Sequence, residues 1–271
     1  MSSGPFSLQE RVAVITGGTG AIGAALAHGL AQAGARVAVL ARREEALERT
    51  VRHLTDEGHE AIGVRADVLD AASLEAGRDK IVERFGEVDI LVNCAGGNVA
   101  DATLKDDASP FTLSIEAYRQ VVDLNLIGTL LAIQVFGGAM QNSSGCSIVN
   151  VSSMAATRAL TRVGGYAAAK AAIESVTRSL AVELARRGTG IRVNAIAPGF
   201  VIGEQNRALL VAEDGSFTER GATIIARTPL ARFGEPHDLV STVVWLVSDG
   251  ARFVTGIVVP VDGGFGAFSG V

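Results

Sequence analysis

Residues 11–23, RVAVITGGTGAIG, decide the fold expected of this chain. The run RVAVIT is apolar at almost every position, as expected of a strand covered on both faces. It leads directly into a turn with glycines at 17, 18, 20 and 23. Glycines permit a tight turn and bring backbone amides close to a pyrophosphate, which the N terminus of the following helix also attracts. The stretch therefore predicts the first βα unit of a dinucleotide-binding sheet, with ordinary turn chemistry as the alternative.

The same alternation of short apolar runs and longer amphipathic segments continues along the chain. Candidate strands follow at ARVAVL (35–40), AIGVRAD (61–67), VDILVN (88–93), CSIVNV (146–151), IRVNAIA (191–197) and IVVPVD (257–262). Helix-like segments lie at about 20–33, 44–57, 71–85, 114–141, 164–187 and 235–248, and several end in glycine. The pattern predicts an α/β fold in a single domain, 1–271, with a Rossmann-type, doubly wound parallel sheet of about seven strands flanked by helices. Ligands of such a sheet bind at the carboxyl ends of its strands.

Composition limits the partners of the chain. Its 271 residues are 48% hydrophobic, enough for a large core, and the net charge of -5 favours neither nucleic acid nor a membrane as partner. No continuous run approaches the ~20 apolar residues of a membrane span, and the start, MSSGPFSLQER, lacks a signal-peptide core. We therefore expect a soluble, cytoplasmic protein. Cys94 and Cys146 lack ligand spacing, so we expect buried free thiols, no disulfide framework and no metal site.

The end of the second candidate strand indicates a cofactor preference. Dinucleotide folds that prefer NAD usually offer an Asp or Glu to the ribose hydroxyls at this place. Here the sequence is Ala41, Arg42 and Arg43. Because a guanidinium suits a 2′-phosphate, we favour NADP, with NAD possible. The alternative is that both arginines face water at the start of the next helix.

A tyrosine and a lysine four residues apart, Tyr166 and Lys170, lie in the candidate helix 164–187. This spacing places both side chains on one helix face, where an ammonium group beside a phenol favours the ionised phenol. A phenol whose pKa is lowered in this way can donate and accept protons near neutral pH. Taken alone, the pair is weak evidence, because a tyrosine and a lysine four apart are more often part of a solvated helix face.

Several motifs together resemble the classical short-chain dehydrogenases/reductases over essentially the whole chain. TGGTGAIG is similar to the cofactor turn of that family, RADV to its adenine contact, NCAG (93–96) to its structural NNAG and APG (197–199) to its nicotinamide loop. The resemblance implies a cofactor-binding set of Gly17, Thr19, Gly20, Ile22, Gly23, Arg42, Arg43, Asp67, Val68, Asn93, Ala95, Gly96, Pro198, Gly199 and Val201. Three positions depart from the pattern: Ala21 replaces a glycine, Cys94 an asparagine, and Gly203 a frequent threonine.

The resemblance also implies a catalytic tetrad of Asn125, Ser153, Tyr166 and Lys170 and hydride transfer between a nicotinamide cofactor and a carbonyl or alcohol. Tyr166 is then the general acid in reduction and the base in oxidation, with its pKa lowered by Lys170 and by the positive nicotinamide of the oxidised cofactor. Ser153 would hold the substrate oxygen, and Asn125 would anchor a water that links Lys170 to solvent. Simpler alternatives exist: Ser153 could cap the end of a strand, Asn125 could form a hydrogen bond inside a helix, and Lys170 could be a solvated charge.

Segments outside these motifs resemble the D-mannonate oxidoreductase subgroup, also called fructuronate reductases. A sugar acid such as D-fructuronate or D-mannonate needs guanidinium and amide partners for its carboxylate and hydroxyls. Candidates on loops at the carboxyl edge, including the substrate loop at about 199–230, are Asn98, Arg158, Arg162, Gln205, Asn206 and Arg207. An arginine taken alone is more often a surface or subunit-contact residue, but together these residues favour a polar anionic substrate. Alternative activities are a 3-oxoacyl carrier-protein reductase or a gluconate or polyol dehydrogenase, and the non-enzyme alternative is a cofactor-binding regulatory protein.

The resemblance further implies a homotetramer. Relatives of this fold pair their fourth and fifth long helices across two-fold axes. The candidate helices 114–141 and 164–187 are rich enough in apolar residues to supply both a core face and a partner face.

Overall fold

A parallel seven-stranded sheet forms the centre of the computed structural model, which describes residues 4–105, 108–140, 145–203 and 206–270. The strands are β1 (Val12–Thr16), β2 (Arg36–Ala41), β3 (Ala61–Arg65), β4 (Ile90–Asn93), β5 (Ser147–Val151), β6 (Arg192–Pro198) and β7 (Val258–Val261). Their order in the sheet is β3-β2-β1-β4-β5-β6-β7. The chain runs outward from β1 to β3 and then returns to β4 on the other side of β1. This confirms the doubly wound sheet and places the topological switch point between β1 and β4.

The helices in the described part of the chain cover both faces of this sheet. They are α1 (Ala21–Gln32), α2 (Glu44–Asp56), α3 (Ala71–Phe85), α4 (Ile115–Val122), α5 (Gly128–Ala139), α6 (Gly164–Arg186), α7 (Arg207–Leu210), α8 (Glu219–Ala226) and α9 (Val240–Val247). Most predicted boundaries agree within two residues. Helix 114–141 instead contains a π-helical turn, Asp123–Ile127, and helix 235–248 begins with a 3-10 turn, Pro236–Leu239. The short helices α7 and α8 lie in the predicted substrate loop, where no helix was expected.

Two apolar layers, one on each face of the sheet, hold the helices in place. In β1, Val12 and Val14 join the layer formed with α3, α5 and α6, while Ala13 and Ile15 join the layer formed with α1, α2 and α9. This division follows from the two-residue period of a strand. Fully burying a side chain of the Val, Leu or Ile type contributes about 1.5–3 kcal/mol to the stability of the fold. Because both faces of the strands are covered, nearly every strand position is buried, which explains why the strands are continuously apolar.

The helical segment Ile115–Ala139 is long and apolar enough to cross a membrane, judged by length and composition alone. The sequence pattern predicted no segment of this kind. Its Val121 and Phe136 are fully buried, and α5 packs against α3, β4 and β5. We therefore interpret the segment as a core helix, whose apolar character serves packing within the protein.

Candidate active site

The glycine-rich turn lies at the carboxyl end of β1, beside the switch point. Gly17 has a φ of +66°, and a Cβ added there would lie 2.7 Å from the Cα of Ala95. The first helix is capped at Gly20 without a side-chain hydrogen bond, which leaves its N-terminal N–H groups free to receive an anion. Thr19 and Ile22 are half-buried on the same turn. The turn thus lets a pyrophosphate come close to its backbone amides and leaves the helix N terminus without a side-chain cap, as pyrophosphate binding requires.

Close packing anchors this turn to the rest of the site. The Oγ1 of Thr16 accepts hydrogen bonds of 3.2 Å from the amides of Cys94 and Ala95. A side chain at Gly23 would collide with the carbonyl oxygen of Gly17. Only glycine at position 23 therefore allows α1 to start against the turn.

Two of the departures from the family pattern face each other. A Cβ added at Gly203 would lie 3.2 Å from the Cβ of Ala21. The methyl group of Ala21 therefore takes space that a side chain at position 203 would need. The two changes are spatially linked, which their separation in sequence did not reveal.

The remaining cofactor candidates line the ends of the neighbouring strands. Arg42 and Arg43, at the end of β2, have exposed side chains. Asp67, just after β3, accepts a 3.0 Å hydrogen bond from the amide of Leu69. Val68 is buried against Gly128, where an added Cβ would lie 2.8 Å from its Cγ2.

The asparagine at the end of β4 has a different setting. Asn93 is buried, and its Nδ2 donates a 2.9 Å hydrogen bond to the Oδ1 of Asn150 on β5. Asn150 in turn donates to Thr177 of α6 at 2.9 Å. Through Asn150, the side chain of Asn93 therefore links β4 to β5 and to α6.

The end of β6 borders a cavity of about 200 Å³. Pro198 closes the strand, and Gly199 packs so tightly that an added Cβ would lie 2.7 Å from the Cα of Asp262. Val201 pairs with Gly234 in an isolated bridge. These contacts hold the predicted nicotinamide loop at the carboxyl edge of the sheet.

Three of the predicted catalytic residues meet just beyond β5. Ser153 and Tyr166 are joined by a side-chain hydrogen bond, and the Oγ of Ser153 also accepts from the amide of Ala155 at 3.2 Å. The Nζ of Lys170 lies 5.5 Å from the ring centroid of Tyr166. Lys170 is only 5% exposed, and its ammonium group donates to the carbonyl of Val151 at 2.7 Å. The fold thus brings a hydroxyl, a phenol and a buried amine to one place.

The electrostatics of this cluster differ from the sequence expectation. Burial raises the pKa of Tyr166, and the hydrogen bond from Ser153 only partly opposes this effect. Burial also lowers the pKa of Lys170 to about 8. The pKa of Tyr166 is therefore raised overall in the protein without cofactor, and the lowering expected from Lys170 together with an oxidised nicotinamide stays a prediction for the complex. The ammonium group sits over the ring and bonds to a backbone carbonyl, while desolvation of the phenol dominates.

Asn125 lies inside the π-helical turn and is fully buried. Its Nδ2 donates to the carbonyls of Gly97 at 2.7 Å and Val121 at 2.8 Å, and its Oδ1 accepts from the amide of Gly97 at 3.0 Å. A Cβ added at Gly96 would lie 2.5 Å from this Oδ1 and 3.3 Å from the Nζ of Lys170. Asn125 therefore clamps the loop after β4 next to Lys170.

A thiol that was expected to be buried, Cys94, lies near the same lysine. Cys94 is half-buried at the end of β4, whereas Cys146 is fully buried. Burial raises the pKa of Cys94 to about 11, and the charge of Lys170 opposes this shift. The thiol is therefore neutral at physiological pH.

Most of the predicted substrate residues make contacts within loops. Asn98 donates to Thr103 at 2.7 Å, and Arg162 donates through Nε to the carbonyl of Leu104 at 2.7 Å. Asn206 accepts from the amide of Gly203 and donates to the carbonyl of Val201, both at 2.8 Å.

The remaining substrate candidates are Arg158, Arg207 and Gln205. Arg158, after β5, is exposed and donates to the carbonyl of Gly266. Arg207 is exposed at the first position of α7. Gln205 lies outside the described residues.

Comparison with known proteins identifies the family. Residues 18–266 match the family model described as Enoyl-(Acyl carrier protein) reductase. An uncharacterized oxidoreductase, UxuB, from Bacillus subtilis (strain 168) is 45% identical over an alignment of 274 positions that covers 98% of each chain. The chain belongs to the short-chain dehydrogenase/reductase family.

Solved structures of the family agree with this assignment. A candidate D-mannonate oxidoreductase from Haemophilus influenza, with bound NAD, is 38% identical with a TM-score of 0.91 over 98% of each chain. A candidate NAD(P)-dependent gluconate 5-dehydrogenase from Beutenbergia cavernae, with NADP at low occupancy, is 36% identical with a TM-score of 0.85, covering 98% of this chain and 100% of its own. This short-chain dehydrogenase/reductase is therefore a nicotinamide-dependent oxidoreductase that acts on alcohol or ketone groups of small molecules.

Proposed function

We propose that this short-chain dehydrogenase/reductase interconverts the carbonyl and the secondary alcohol of a sugar acid, such as D-fructuronate and D-mannonate. The reaction class is supported by one observation: Ser153, Tyr166 and Lys170 lie close together at the carboxyl end of β5. The cofactor turn at the end of β1 lies on the same edge of the sheet. This is the arrangement in which a proton donor, an orienting hydroxyl and a bound dinucleotide can act on one carbonyl.

The proposed mechanism assigns a step to each residue. The nicotinamide supplies or accepts the hydride when the cofactor is bound. Ser153 donates a hydrogen bond to the substrate oxygen and orients it, and Tyr166 gives its phenolic proton to that oxygen during reduction. Lys170 stabilises the resulting phenolate, and Asn125 shapes the loop beside Lys170, where a water would return the proton from solvent. The raised pKa of Tyr166 in the free protein keeps the phenol protonated and ready for reduction.

The proposed cofactor is NADP. Its support is the exposed guanidinium of Arg42, which follows Ala41 at the end of β2, where a 2′-phosphate would be received. We expect Arg42→Ala to raise the KM for NADPH at least about tenfold, the size of one lost charge-assisted contact, and to leave the KM for NADH unchanged. Arg49→Ala, a charge removal at an exposed position of α2, is the matched control. Equal effects of Arg42→Ala on both cofactors would contradict the preference.

Two observations support a sugar acid as substrate. The first is the similarity to the candidate D-mannonate oxidoreductase. The second is the presence of exposed Arg158 and Arg207 on the loops after β5 and β6, since guanidinium groups bind carboxylates well. Arg162 and Asn206 contribute indirectly, because their hydrogen bonds close the loops that carry these two arginines.

The test is steady-state reduction of D-fructuronate, followed by loss of nicotinamide absorbance with NADPH and NADH in parallel. Turnover supports the sugar-acid assignment. Reduction of acetoacetyl thioesters or of 5-ketogluconate, without reduction of D-fructuronate, would reassign the substrate while leaving the mechanism intact. Tight cofactor binding with no turnover of any carbonyl would favour a cofactor-binding regulatory protein.

We also propose that the enzyme is a cytoplasmic homotetramer. Support for the tetramer comes from apolar side chains that stay exposed on the two long helices: Ile115 is 57% and Val182 is 59% exposed. Surfaces of this kind suit a partner subunit.

A further inference from the structure

All four histidines of the chain lie together around His28 of α1. The rings of His53, His59 and His237 have centroids 5.5, 6.2 and 6.1 Å from the ring of His28. They come from α1, α2, the turn that follows α2 and the 3-10 turn before α9. None of them belongs to the catalytic cluster. Because neutral imidazole is the commonest protein ligand of transition metals, the grouping calls for an explanation.

A carboxylate lies at the centre of this histidine cluster. The oxygens of Glu57 lie 2.7 Å from the Nε2 of His28, 3.5 Å from that of His53 and 3.8 Å from that of His59. Ligand atoms of His28, His53 and Glu57 all lie within 4.8 Å of one another. Tetrahedral zinc with ligands at about 2.1 Å separates its ligand atoms by about 3.4 Å. The triad therefore needs only small side-chain rotations to close on an ion.

Exposure shows that these rotations are possible and that an ion can enter. The side chains of His53 and Glu57 are 67% and 39% exposed, while that of His28 is held at 16%. A solvent-open groove of about 370 Å³ is lined by His28, His53 and His237. It leaves room for a water molecule in a fourth coordination position.

We propose that His28, His53 and Glu57 form a site for a divalent transition metal of the zinc class, with His237 or water in the fourth position. Two imidazoles and one carboxylate are a ligand set that zinc accepts. The proposal departs from the expectation of no metal site, which considered cysteine spacing alone.

A metal at this position would act on stability. It would join α1 to the C-terminal end of α2 through direct ligand bonds. Because α1 begins at the cofactor turn, the ion would hold the same helix that presents its N terminus to the pyrophosphate. Binding to the folded state alone raises the unfolding temperature with increasing metal concentration.

The first experiment is equilibrium dialysis of the untagged full-length protein against zinc chloride. We expect one zinc per chain in the wild type, and at least about tenfold weaker binding in His53→Gln and in Glu57→Gln. Glu48→Gln, which removes the same charge from an exposed position of α2, is the matched control and should bind as the wild type does. Zinc should raise the melting temperature of the wild type and of Glu48→Gln more than that of either triad variant.

Cobalt(II) in place of zinc identifies the ligands. We expect a visible spectrum of nitrogen and oxygen ligation, without a thiolate charge-transfer band. No bound zinc in the wild type, binding that both triad variants retain, or loss of binding on Cys94→Ser would each overturn the proposal. Circular dichroism without metal verifies that each variant is folded.

Discussion

At the scale of single residues, Tyr166 and Lys170 show how burial and hydrogen bonding compete. Their four-residue spacing correctly predicts that they share a helix face. Desolvation then raises the pKa of the phenol and lowers that of the amine to about 8, so the phenol is neutral and the amine is still mainly protonated at pH 7 in the free protein. A positive charge bound next to this cluster would stabilise the phenolate form of Tyr166 and lower the pKa of the phenol.

Replacing Tyr166 with phenylalanine removes the proposed proton donor and keeps the ring. We expect kcat to fall by about 10²–10⁴-fold, the usual contribution of a general acid, with little change in melting temperature. Tyr118→Phe is the control, because Tyr118 is the other tyrosine of the chain and packs against Gly165. A Tyr166→Phe enzyme with a near-wild-type rate would remove the mechanism.

The buried ammonium of Lys170 predicts a dependence of stability on pH. Its pKa is about 8 in the folded chain, against about 10.4 in an unfolded chain. Between these values the unfolded state binds more protons, so stability rises with pH; below pH 8 the contribution is level. From pH 7 to pH 10, we expect the free energy of unfolding of the wild type to rise by about 2 kcal/mol relative to Lys170→Met.

Chemical denaturation at a series of pH values measures this difference. Lys80→Met is the control, because Lys80 is exposed on α3 and its loss should give no such slope. A flat difference between the wild type and Lys170→Met would show that Lys170 keeps its ordinary pKa in the folded protein.

At the scale of elements, the π-helical turn between α4 and α5 is the local feature that serves the site. A π turn inserts a residue into a helix and displaces the carbonyls around it, often at functional positions. Here the side-chain amide of Asn125 donates a hydrogen bond to the carbonyl of Val121. It also bonds to both the carbonyl and the N–H of Gly97. One side chain therefore joins the long helix to the loop after β4.

Asn125→Ala should weaken both the fold and the reaction. It leaves the backbone groups of Gly97 and the carbonyl of Val121 without these partners, and each buried unsatisfied group costs about 1–3 kcal/mol. We expect a loss of stability of that order and a fall in kcat, measured by urea denaturation and by turnover. Gln120→Ala, at an exposed position of α4, should change neither. Full stability of Asn125→Ala would mean that the loop does not depend on the clamp.

At the scale of the whole molecule, the order of the strands collects residues that are distant in sequence. Because β1, β4 and β5 are adjacent and parallel, their carboxyl ends bring the cofactor turn, the loop of Gly96 and Ser153 to one edge. The same architecture leaves exposed apolar residues on the long helices, which the proposed tetramer would cover.

Val182→Asp tests that assembly. Placing a charge at this exposed position of α6 should dissociate the proposed tetramer, because an unpaired charge buried in an interface is costly. Sedimentation velocity reports the number of subunits. The matched control is Val82→Asp on α3, where the same residue type is 41% exposed outside the two long helices. A monomeric wild type, or no change in Val182→Asp, would contradict the proposed packing.

The sequence by itself determined the sheet, most helix boundaries and the family. These features depend on local patterns: apolar runs mark strands covered on both faces, and glycines with positive φ end α1, α2 and α6 at Gly34, Gly58 and Gly188, as predicted. Motif spacing selected the residues that the fold gathers at the ends of β1, β4 and β5. Each of these signals lies within a few residues of the element that it describes.

Only the tertiary structure decided which partners the polar side chains have. Arg162 and Asn206, predicted to bind substrate, make loop contacts with backbone groups, and the phenol of Tyr166 is controlled by its burial. The histidines at positions 28 and 237 meet because α1 lies against the turn that precedes α9. The physical reason is that hydrogen bonds, desolvation and metal ligation act over a few ångströms between residues that can be far apart in the chain, and sequence spacing does not record such distances.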